Sequence, residues 1–339
     1  MLAAGCNFLS QNLPAGIIKS TNGGADWQFS NSVKGNQAQS LASLNISKLA
    51  FEPGKRETLF AGSYSGGLYK SEDSAGGWSK ILSNIFVYDF AVNPADAKII
   101  YAAGFYADHG RVVKTADSGA SWNEVYKEES AANAVRAIAV NPSNPNQLVI
   151  GLSSGSVIKS ADGGMTWQLA KNFEDRINRV LWQNGSVYIL LKTKGLFKSP
   201  GFAENFEEMT GGLSKTYNLA GMSYTSSTAA FSQVFVDNAN SGLIYLTSNK
   251  GLFKTTDEGK NWSLLKLPVQ PGQSEARAVA VARTSSNIVY ASIGSTVYKS
   301  TDAGQSWQTQ GINSAGFINY ILIDPQLPQL VYAGIYSSE

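Results

Sequence analysis

Asp108 and His109 are the neighbouring acid and imidazole of this sequence, and His109 is its single histidine. A carboxylate beside an imidazole can serve in general acid–base catalysis. Hydrolysis of a glycosidic bond also needs a second carboxylate about 5–9.5 Å from the first. The candidates are Glu128, Glu129 and Asp89, and no sequence feature distinguishes one of them. The pair is therefore either the centre of a glycosidase site or a charged, solvated loop tip.

Basic side chains suggest a second chemistry, the binding of anions. Arg136 and Arg277 occupy equivalent places in the segments VRAIAV and ARAVAV, and Lys48 and Arg179 lie one position off that register. If these segments are neighbouring strands, the side chains converge on a basic patch that can bind an acidic protein segment. The alternative is ion pairing with acidic residues at the strand ends, namely Asp89, Glu174 and Glu275.

The composition excludes several classes of function. One cysteine, Cys6, permits neither a disulfide within the chain nor a cysteine metal cluster. One histidine removes metal sites that need two or three imidazoles. A net charge of +2 gives no basis for nucleic-acid binding, and no apolar run approaches the ~18 residues of a membrane span. The sequence therefore predicts no metal, no cofactor and no nucleic-acid partner.

A short motif recurs seven times and predicts the fold that must position these side chains. Its clearest copy is KSADGGMTW at residues 159–167, and a lysine precedes the serine or threonine of all seven copies. The copies begin at residues 20, 71, 115, 160, 199, 255 and 300. A period near 45 residues with four short strands per unit is typical of β-propellers. We predict an all-β, seven-bladed propeller of four-stranded antiparallel blades over residues 15–339, after a tail at 1–14.

The motif suits a tight hairpin turn between the third and fourth strands of a blade. Its carboxylate can accept backbone N–H bonds, its glycine can take a positive φ, and its tryptophan can pack between adjacent sheets. The acid position is held by Asn22, Asp73, Asp117, Asp162, Asp257 and Asp302. The tryptophan position is held by Trp27, Trp78, Trp122, Trp167, Trp262 and Trp307. The fifth copy, from Ser199 to Phe206, retains only the serine and an aromatic residue.

The two ends of the chain predict how the ring closes. Residues 316–324 and 329–336 have the pattern of a first and a second strand with no motif after them. Residues 16–20 and 27–30 have the pattern of a third and a fourth strand with nothing before them. We expect the N-terminal outer strands to join the C-terminal inner strands in one blade, which removes open sheet edges.

The unit AVNPSNPNQLVIGLSSGSVIKSADGGMTWQ, residues 139–168, resembles the Asp-box (BNR-repeat) propellers. That family includes xyloglucan-degrading glycoside hydrolases, sortilin-type receptors, sialidases and photosystem II assembly factors. The resemblance covers the chain from residue 15 onward and implies the propeller fold. It implies no single function, because sites are grafted separately onto such scaffolds.

The resemblance to the xyloglucanases bears on catalysis. Those enzymes place their cleft between two propellers and carry a first catalytic aspartate just before a Gly-Gly-x-Tyr stretch. Here Tyr64 stands at that place, before Gly66, Gly67 and Tyr69, and one propeller is predicted. One unit later, alignment on Lys114 places Asp108 at the aspartate position.

The leading hypothesis is a non-catalytic, extracytoplasmic propeller that binds a protein partner or a glycan. The alternative is a glycoside hydrolase or lyase centred on Asp108, with His109. Binding is expected on the face with the loops that join second to third strands and blade to blade, here called the loop-rich face. The residues predicted there are Tyr64, Tyr106, Asp108, His109, Arg111, Arg136, Arg179, Tyr217, Tyr224 and Arg277.

The segment Leu2–Cys6 resembles a bacterial lipobox, in which small residues precede a cysteine that receives lipid. Only five residues precede Cys6, so the charged and apolar regions of a full signal are missing from this stretch. Two interpretations stay open, a lipid anchor on Cys6 from a longer signal or a chance match. The sequence predicts no other attachment to a membrane.

Overall fold

The computed structural model describes residues 13–35, 39–213, 229–240, 242–269, 275–314 and 316–337. Their strands form seven four-stranded antiparallel sheets arranged as the blades of a β-propeller. The predicted fold is confirmed. No helix within these ranges has the length and apolarity needed to cross a membrane.

The strand bounds follow the chain. The first described elements are β1 (Gly16–Ser20), β2 (Gln28–Phe29) and the 3-10 helix η1 (Leu41–Ser43). Blade 1 comprises β3 (Ile46–Glu52), β4 (Lys55–Ser63), β5 (Gly67–Ser71) and β6 (Ser79–Leu82). Blade 2 comprises β7 (Phe86–Val92), β8 (Ile100–Tyr106), β9 (His109–Thr115) and β10 (Asn123–Lys127). Blade 3 comprises β11 (Val135–Val140), β12 (Leu148–Leu152), β13 (Ser156–Ser160) and β14 (Gln168–Asn172).

Blade 4 comprises β15 (Ile177–Gln183), β16 (Ser186–Leu191), β17 (Leu196–Pro200) and β18 (Glu207–Glu208). Blade 5 comprises β19 (Phe231–Val236), β20 (Ile244–Ser248), β21 (Gly251–Thr255) and β22 (Ser263–Leu264). Blade 6 comprises β23 (Ala276–Ala282), β24 (Ser285–Ile293), β25 (Thr296–Ser300) and β26 (Gln308–Gly311).

Blade 7 closes the ring from both ends of the chain. Its strands are β27 (Phe317–Ile323) and β28 (Val331–Tyr336) on the inside, with β1 and β2 outside them. The pairing of β1 with β28 runs from Gly16 opposite Ile335 to Ser20 opposite Val331. This is the closure that the unpaired segments predicted, with bounds that differ by one or two residues.

The position of a strand within its blade determines how apolar it is. The second strand of blade 4, SVYILL, is buried at every residue because neighbouring blades cover both of its faces. The fourth strand of blade 3, QLAKN, lies at the rim and is mostly exposed. The core is therefore a series of apolar layers between successive blades.

The repeated motif is a turn held by its own polar side chains. Asp162 Oδ1 accepts from Ser160 Oγ at 2.8 Å and from the backbone N–H groups of Met165 and Thr166, each at 2.9 Å. Ser160 Oγ accepts from the Gly164 N–H at 2.9 Å. Gly164 has a φ of +94°, a conformation that glycine adopts without strain. These bonds, led by that from the Thr166 hydroxyl, lower the pKa of Asp162 to about 2.

In four copies of the motif the tryptophan bonds the preceding blade as well as packing against it. Trp78 Nε1 donates to the Ser30 carbonyl at 2.8 Å, and Trp167 Nε1 donates to the Val125 carbonyl at 2.8 Å. The preceding blade bonds back to the turn. Lys114 Nζ and the Tyr101 hydroxyl both donate to the Gly163 carbonyl, each at 3.1 Å.

The lysine before each motif therefore has a structural role that the sequence did not reveal. Lys19 Nζ donates to the Ser74 carbonyl at 2.8 Å, and Lys254 Nζ donates to the Ala303 carbonyl at 3.1 Å. Five of the seven lysines bond to the turn of the next blade, namely Lys19, Lys114, Lys159, Lys198 and Lys254, whereas Lys70 pairs with Glu52 and Glu72 of its own blade. Where blade 7 meets blade 1 and where blade 2 meets blade 3, two carbonyls are thus bonded in opposite directions, which joins these blades reciprocally.

Burial of the tryptophan predicts the cost of removing it. Trp78 is fully buried, whereas Trp167 is partly exposed. We expect Trp78→Ala to lower the free energy of unfolding by ~3–5 kcal/mol, through a cavity and a lost bond between blades. Trp167→Ala should cost less. Denaturant unfolding of both variants tests this, and an equal or greater cost for Trp167→Ala would contradict it.

The lowered pKa of Asp162 predicts a pH dependence. Its pKa falls from 3.8 to about 2 on folding, so its stabilising effect is present above pH 4 and is lost as the pH falls toward 2. Asp162→Asn keeps the acceptor oxygen but does not titrate, and Asn22 already fills this position in another turn, accepting the Asp26 N–H at 2.9 Å. Between pH 4 and 2 the melting temperature of the variant should fall less than that of the parent. Parallel curves would show that the turn does not stabilise the charged form.

Candidate functional site

A register irregularity interrupts the first strand of every blade near the loop-rich face. In blade 3 it lies between Val135 and Ala137, and in blade 4 between Ile177 and Arg179. A β-bulge inserts an extra residue and redirects its side chain. The residues inside the seven irregularities include Ser47, Tyr88, Arg136, Asn178, Ser232, Arg277 and Asn319.

These redirected side chains surround the mouth of the central channel. Six of the seven line an open pocket of about 920 Å³, together with residues from the loops around it. The equivalence of Arg136 and Arg277 in the sequence is thus an equivalence of bulge positions. Arg179 reaches the same pocket from the position after its bulge.

The pocket is basic. Its lining contains five basic side chains and one acidic one, Glu275. Arg277 pairs with Glu275 at 2.8 Å, and Ser232 donates to the same carboxylate at 2.6 Å. The remaining basic residues form no ion pair with any described residue; they are Arg136, Arg176, Arg179 and Lys192. Outside the described ranges the sequence holds one acidic side chain, Glu339.

Three of these cations are partly desolvated, because Arg136, Arg176 and Arg179 are half-buried. Burial and the nearby Arg136 and Arg179 guanidinium groups lower the pKa of Arg176. Arg136 Nε is buried without a hydrogen-bond partner among the described residues. A bound anion would offset both the lost hydration and the mutual repulsion of these groups.

Aromatic rings connect the two sides of the pocket. The Arg136 guanidinium lies 4.3 Å from the ring centroid of Tyr88, which lies 5.5 Å from that of Tyr64. The ring of Tyr336 lies 5.5 Å from Tyr64 and stacks on Phe317 at 5.1 Å. Arg277 lies 3.6 Å from the Phe317 centroid. These four rings with an arginine at each end are here called the aromatic arc.

The predicted site residues divide into two groups. Tyr64, Arg136, Arg179 and Arg277 line the pocket. Lys48 is not part of this lining; it borders the bulge of blade 1 on the channel wall and pairs with Asp89 at 2.6 Å. Ion pairing, the alternative role for the basic residues, thus holds for Lys48 and Arg277. Glu174 has no ion-pair partner among the described residues.

The remaining predicted residues in the described part lie on the hairpin between β8 and β9, outside the pocket lining. Asp108 is exposed at its tip with a φ of +62°, and His109 Nδ1 lies 2.8 Å from the Glu128 carbonyl oxygen. Arg111 pairs with Glu124 and lies 5.5 Å from the ring of Tyr106. Tyr217, Tyr224 and Cys6 lie outside the described residues.

The carboxylates considered as partners of Asp108 have other contacts. Asp89 is buried and accepts from Lys48 and from the backbone N–H groups of Phe90 and Ile138, at 2.6, 2.8 and 3.0 Å. Glu128 accepts from the Tyr126 hydroxyl at 2.6 Å. Both carboxylates therefore already have hydrogen-bond donors.

Several lining residues were not predicted, among them Tyr88, Arg176, Phe317 and Tyr336. Alignment of the seven first strands on their bulges would have placed Tyr88 with Arg136. The order of strands places Arg176 in a loop of the loop-rich face, but it does not show that this side chain reaches the channel. Tyr336 ends β28 opposite Phe317, and the strand pattern does not show that its ring lines the pocket.

No protein-family model and no curated protein matches this sequence. Solved structures do match. The GH74 xyloglucanase from Xanthomonas campestris has a TM-score of 0.71 at 18% identity, over 86% of this chain and 51% of that one. A structure of YCF48 bound to D1 peptide has a TM-score of 0.62 at 14% identity, over 88% and 93%. The extracellular domain of BT4673 from B. thetaiotaomicron has a TM-score of 0.63 at 14% identity, over 91% and 39%.

The chain thus spans about half the length of the xyloglucanase. At such identities the likeness shows the fold alone. Fold and comparisons together define a seven-bladed β-propeller whose structural neighbours include a glycoside hydrolase and a peptide-bound protein.

Proposed function

We propose that this chain is a non-catalytic binding propeller that holds a negatively charged segment of a protein partner in the pocket on its loop-rich face. The carrying observation is the group of basic side chains there that lack acidic partners among the described residues. Charged groups crowded in a partly buried site cost stability unless a counter-charge reaches them. A ligand that supplies this counter-charge accounts for their presence.

The aromatic arc supports a protein ligand over a simple ion. Its rings offer rigid apolar area beside the charges, and tyrosine and arginine are the residues that dominate protein recognition sites. A peptide segment with acidic and apolar side chains matches both features. The net positive field at the mouth would also steer an acidic partner toward the pocket.

The comparison with YCF48 is consistent with this function, because that propeller has been solved with a bound peptide. The proposal also includes the domain bounds, the location of the protein and its attachment to a membrane. We assign residues 15–339 to one Asp-box-type propeller and residues 1–14 to a tail, and we place the protein outside the cytoplasm, with Cys6 as the lipid attachment point.

The second candidate is a glycoside hydrolase, because the xyloglucanase has a high TM-score of 0.71. The geometry favours it less. Asp108 lies at an exposed hairpin tip outside the pocket lining, and the carboxylate of Glu275 in the pocket is bonded to Arg277 and Ser232. A glycan without acidic groups would leave the basic side chains uncompensated.

Charge reversal at the pocket should abolish partner capture. The intact chain serves as bait in native extract, beside Arg136→Glu, Arg277→Glu and the control Arg283→Glu, whose arginine lies at the opposite mouth. We expect the first two variants to lose the partner that the parent and the control retain. The loss should be greater at low salt, where screening is weak. Equal capture by all four proteins would contradict the proposed site.

The parent should release no sugar from xyloglucan or other β-glucans, and Asp108→Asn should leave this unchanged. A hydrolase that loses its acid loses about 10²–10⁴-fold in rate. Reducing-end assays on both proteins measure the difference. Oligosaccharide release by the parent that disappears in Asp108→Asn would replace the binding function with the enzymatic one.

A further inference from the structure

Side-chain hydrogen bonds link the inner strands of neighbouring blades around the channel. Ser47 of blade 1 donates to the Val87 carbonyl of blade 2 at 2.7 Å, and Asp89 of blade 2 accepts from the Ile138 N–H of blade 3 at 3.0 Å. Further links join blade 4 to 5, 5 to 6, 6 to 7 and 7 to 1. We call this set the inner belt.

The inner belt has one open junction in the described part of the chain, between blades 3 and 4. At the bulge of blade 3, where blades 1, 4 and 7 carry Ser47, Asn178 and Asn319, the sequence has Arg136. Its guanidinium turns back onto Tyr88 of blade 2. Blade 4 presents Arg176 and Arg179 to the same pocket, so that three mutually repelling cations surround a junction with no linking side chain among the described residues.

Asn178 orients the two arginines of blade 4. Its Oδ1 accepts from Arg176 Nε at 3.1 Å, and its backbone carbonyl accepts from Arg179 NH1 at 3.1 Å. Asn178 is itself fixed by a bond to the Phe231 carbonyl of blade 5. Both guanidinium groups are therefore positioned before a ligand arrives, and each keeps further N–H donors for one.

We propose that the junction between blades 3 and 4 is a carboxylate-binding subsite, in which Arg136, Arg176 and Arg179 bind one carboxylate of the partner peptide. This inference rests on the proposed function and specifies its chemistry. A carboxylate takes paired N–H bonds from arginine, and its charge relieves the repulsion among the three cations. The ligand then supplies the link that the inner belt lacks, and the neighbouring Tyr88 ring packs against its side chain.

The subsite predicts opposite effects on binding and on stability. A short capped oligoglutamate is the probe and the matching oligoglutamine is its control, with affinity measured by fluorescence anisotropy. Arg176→Gln and Arg179→Gln should each weaken oligoglutamate binding about tenfold or more, the loss expected for a charge-assisted hydrogen bond. Without peptide, both variants should melt at or above the parent temperature, because one of three mutually repelling cations is gone. Arg283→Gln, at the opposite mouth, should alter neither property.

A second variant and a second measurement separate the effect of the paired N–H donors of arginine from the effect of its positive charge. Arg176→Lys retains the cation but cannot offer paired donors, so its affinity should lie between those of the parent and Arg176→Gln. Oligoglutamate should raise the melting temperature of the parent and not that of Arg176→Gln.

Four results would contradict the proposed subsite. One is a peptide-free Arg176→Gln or Arg179→Gln protein that melts well below the parent yet binds oligoglutamate as tightly, since that describes a structural arginine. If oligoglutamine binds as tightly as oligoglutamate, the subsite does not recognise a carboxylate. If oligogalacturonate binds more tightly than oligoglutamate, the ligand is an acidic glycan and not a peptide. If capture of the native partner depends on Arg136 and Arg277 while Arg176→Gln and Arg179→Gln bind oligoglutamate like the parent, the proposed function is supported and the subsite is wrong.

Discussion

The propeller depends on the reciprocal bonds between the motif turn of one blade and the blade before it. A four-stranded sheet has two apolar faces and cannot bury both alone, so each blade needs a neighbour on either side. The indole of Trp167 and the pair Tyr101 and Lys114 bond across the same junction in opposite directions. Burial raises the pKa of Tyr101 to about 12, so its hydroxyl remains a donor at physiological pH.

Because the motif turns join the blades at one side of the ring, the loop-rich face at the other side can carry a binding site. The turns and tryptophans join the blades at one side of the ring, while the bulges near the loop-rich face redirect the first residues of each inner strand. Most bulge side chains still link blades, as Ser47 and Asn178 do. Arg136 contacts Tyr88 of blade 2 and forms no bond to blade 4, so the junction between blades 3 and 4 has no side-chain link among the described residues. Sites placed on rigid elements gain precision from the scaffold beneath them.

The fold could be predicted because the motif repeats. A turn that needs an acceptor, a glycine and an aromatic residue in fixed order leaves a pattern in the sequence, and even the decayed copy keeps Ser199 and the aromatic Phe206. The pocket was harder, because bulges leave no such pattern. Arg136, Arg179 and Arg277 could be found from their shared place in the strands. Arg176 lies in a loop whose path depends on the neighbouring blades, and Tyr336 ends β28, where the strand pattern does not show that its ring reaches the pocket. Asp108 and His109 lie at a hairpin tip outside the pocket lining, so their adjacency in the sequence does not locate the pocket.

Closure of the ring through blade 7 has a consequence for the order of synthesis. β1 forms its register with β28, which follows it by ~300 residues, and a ribosome that adds roughly 5–20 residues per second needs about 15–60 s to reach it. For that time β1 is an apolar strand without its neighbour, a state prone to pairing with other chains. Blade 7 is thus the last blade that can form, since a nascent chain that stops before β28 cannot complete it.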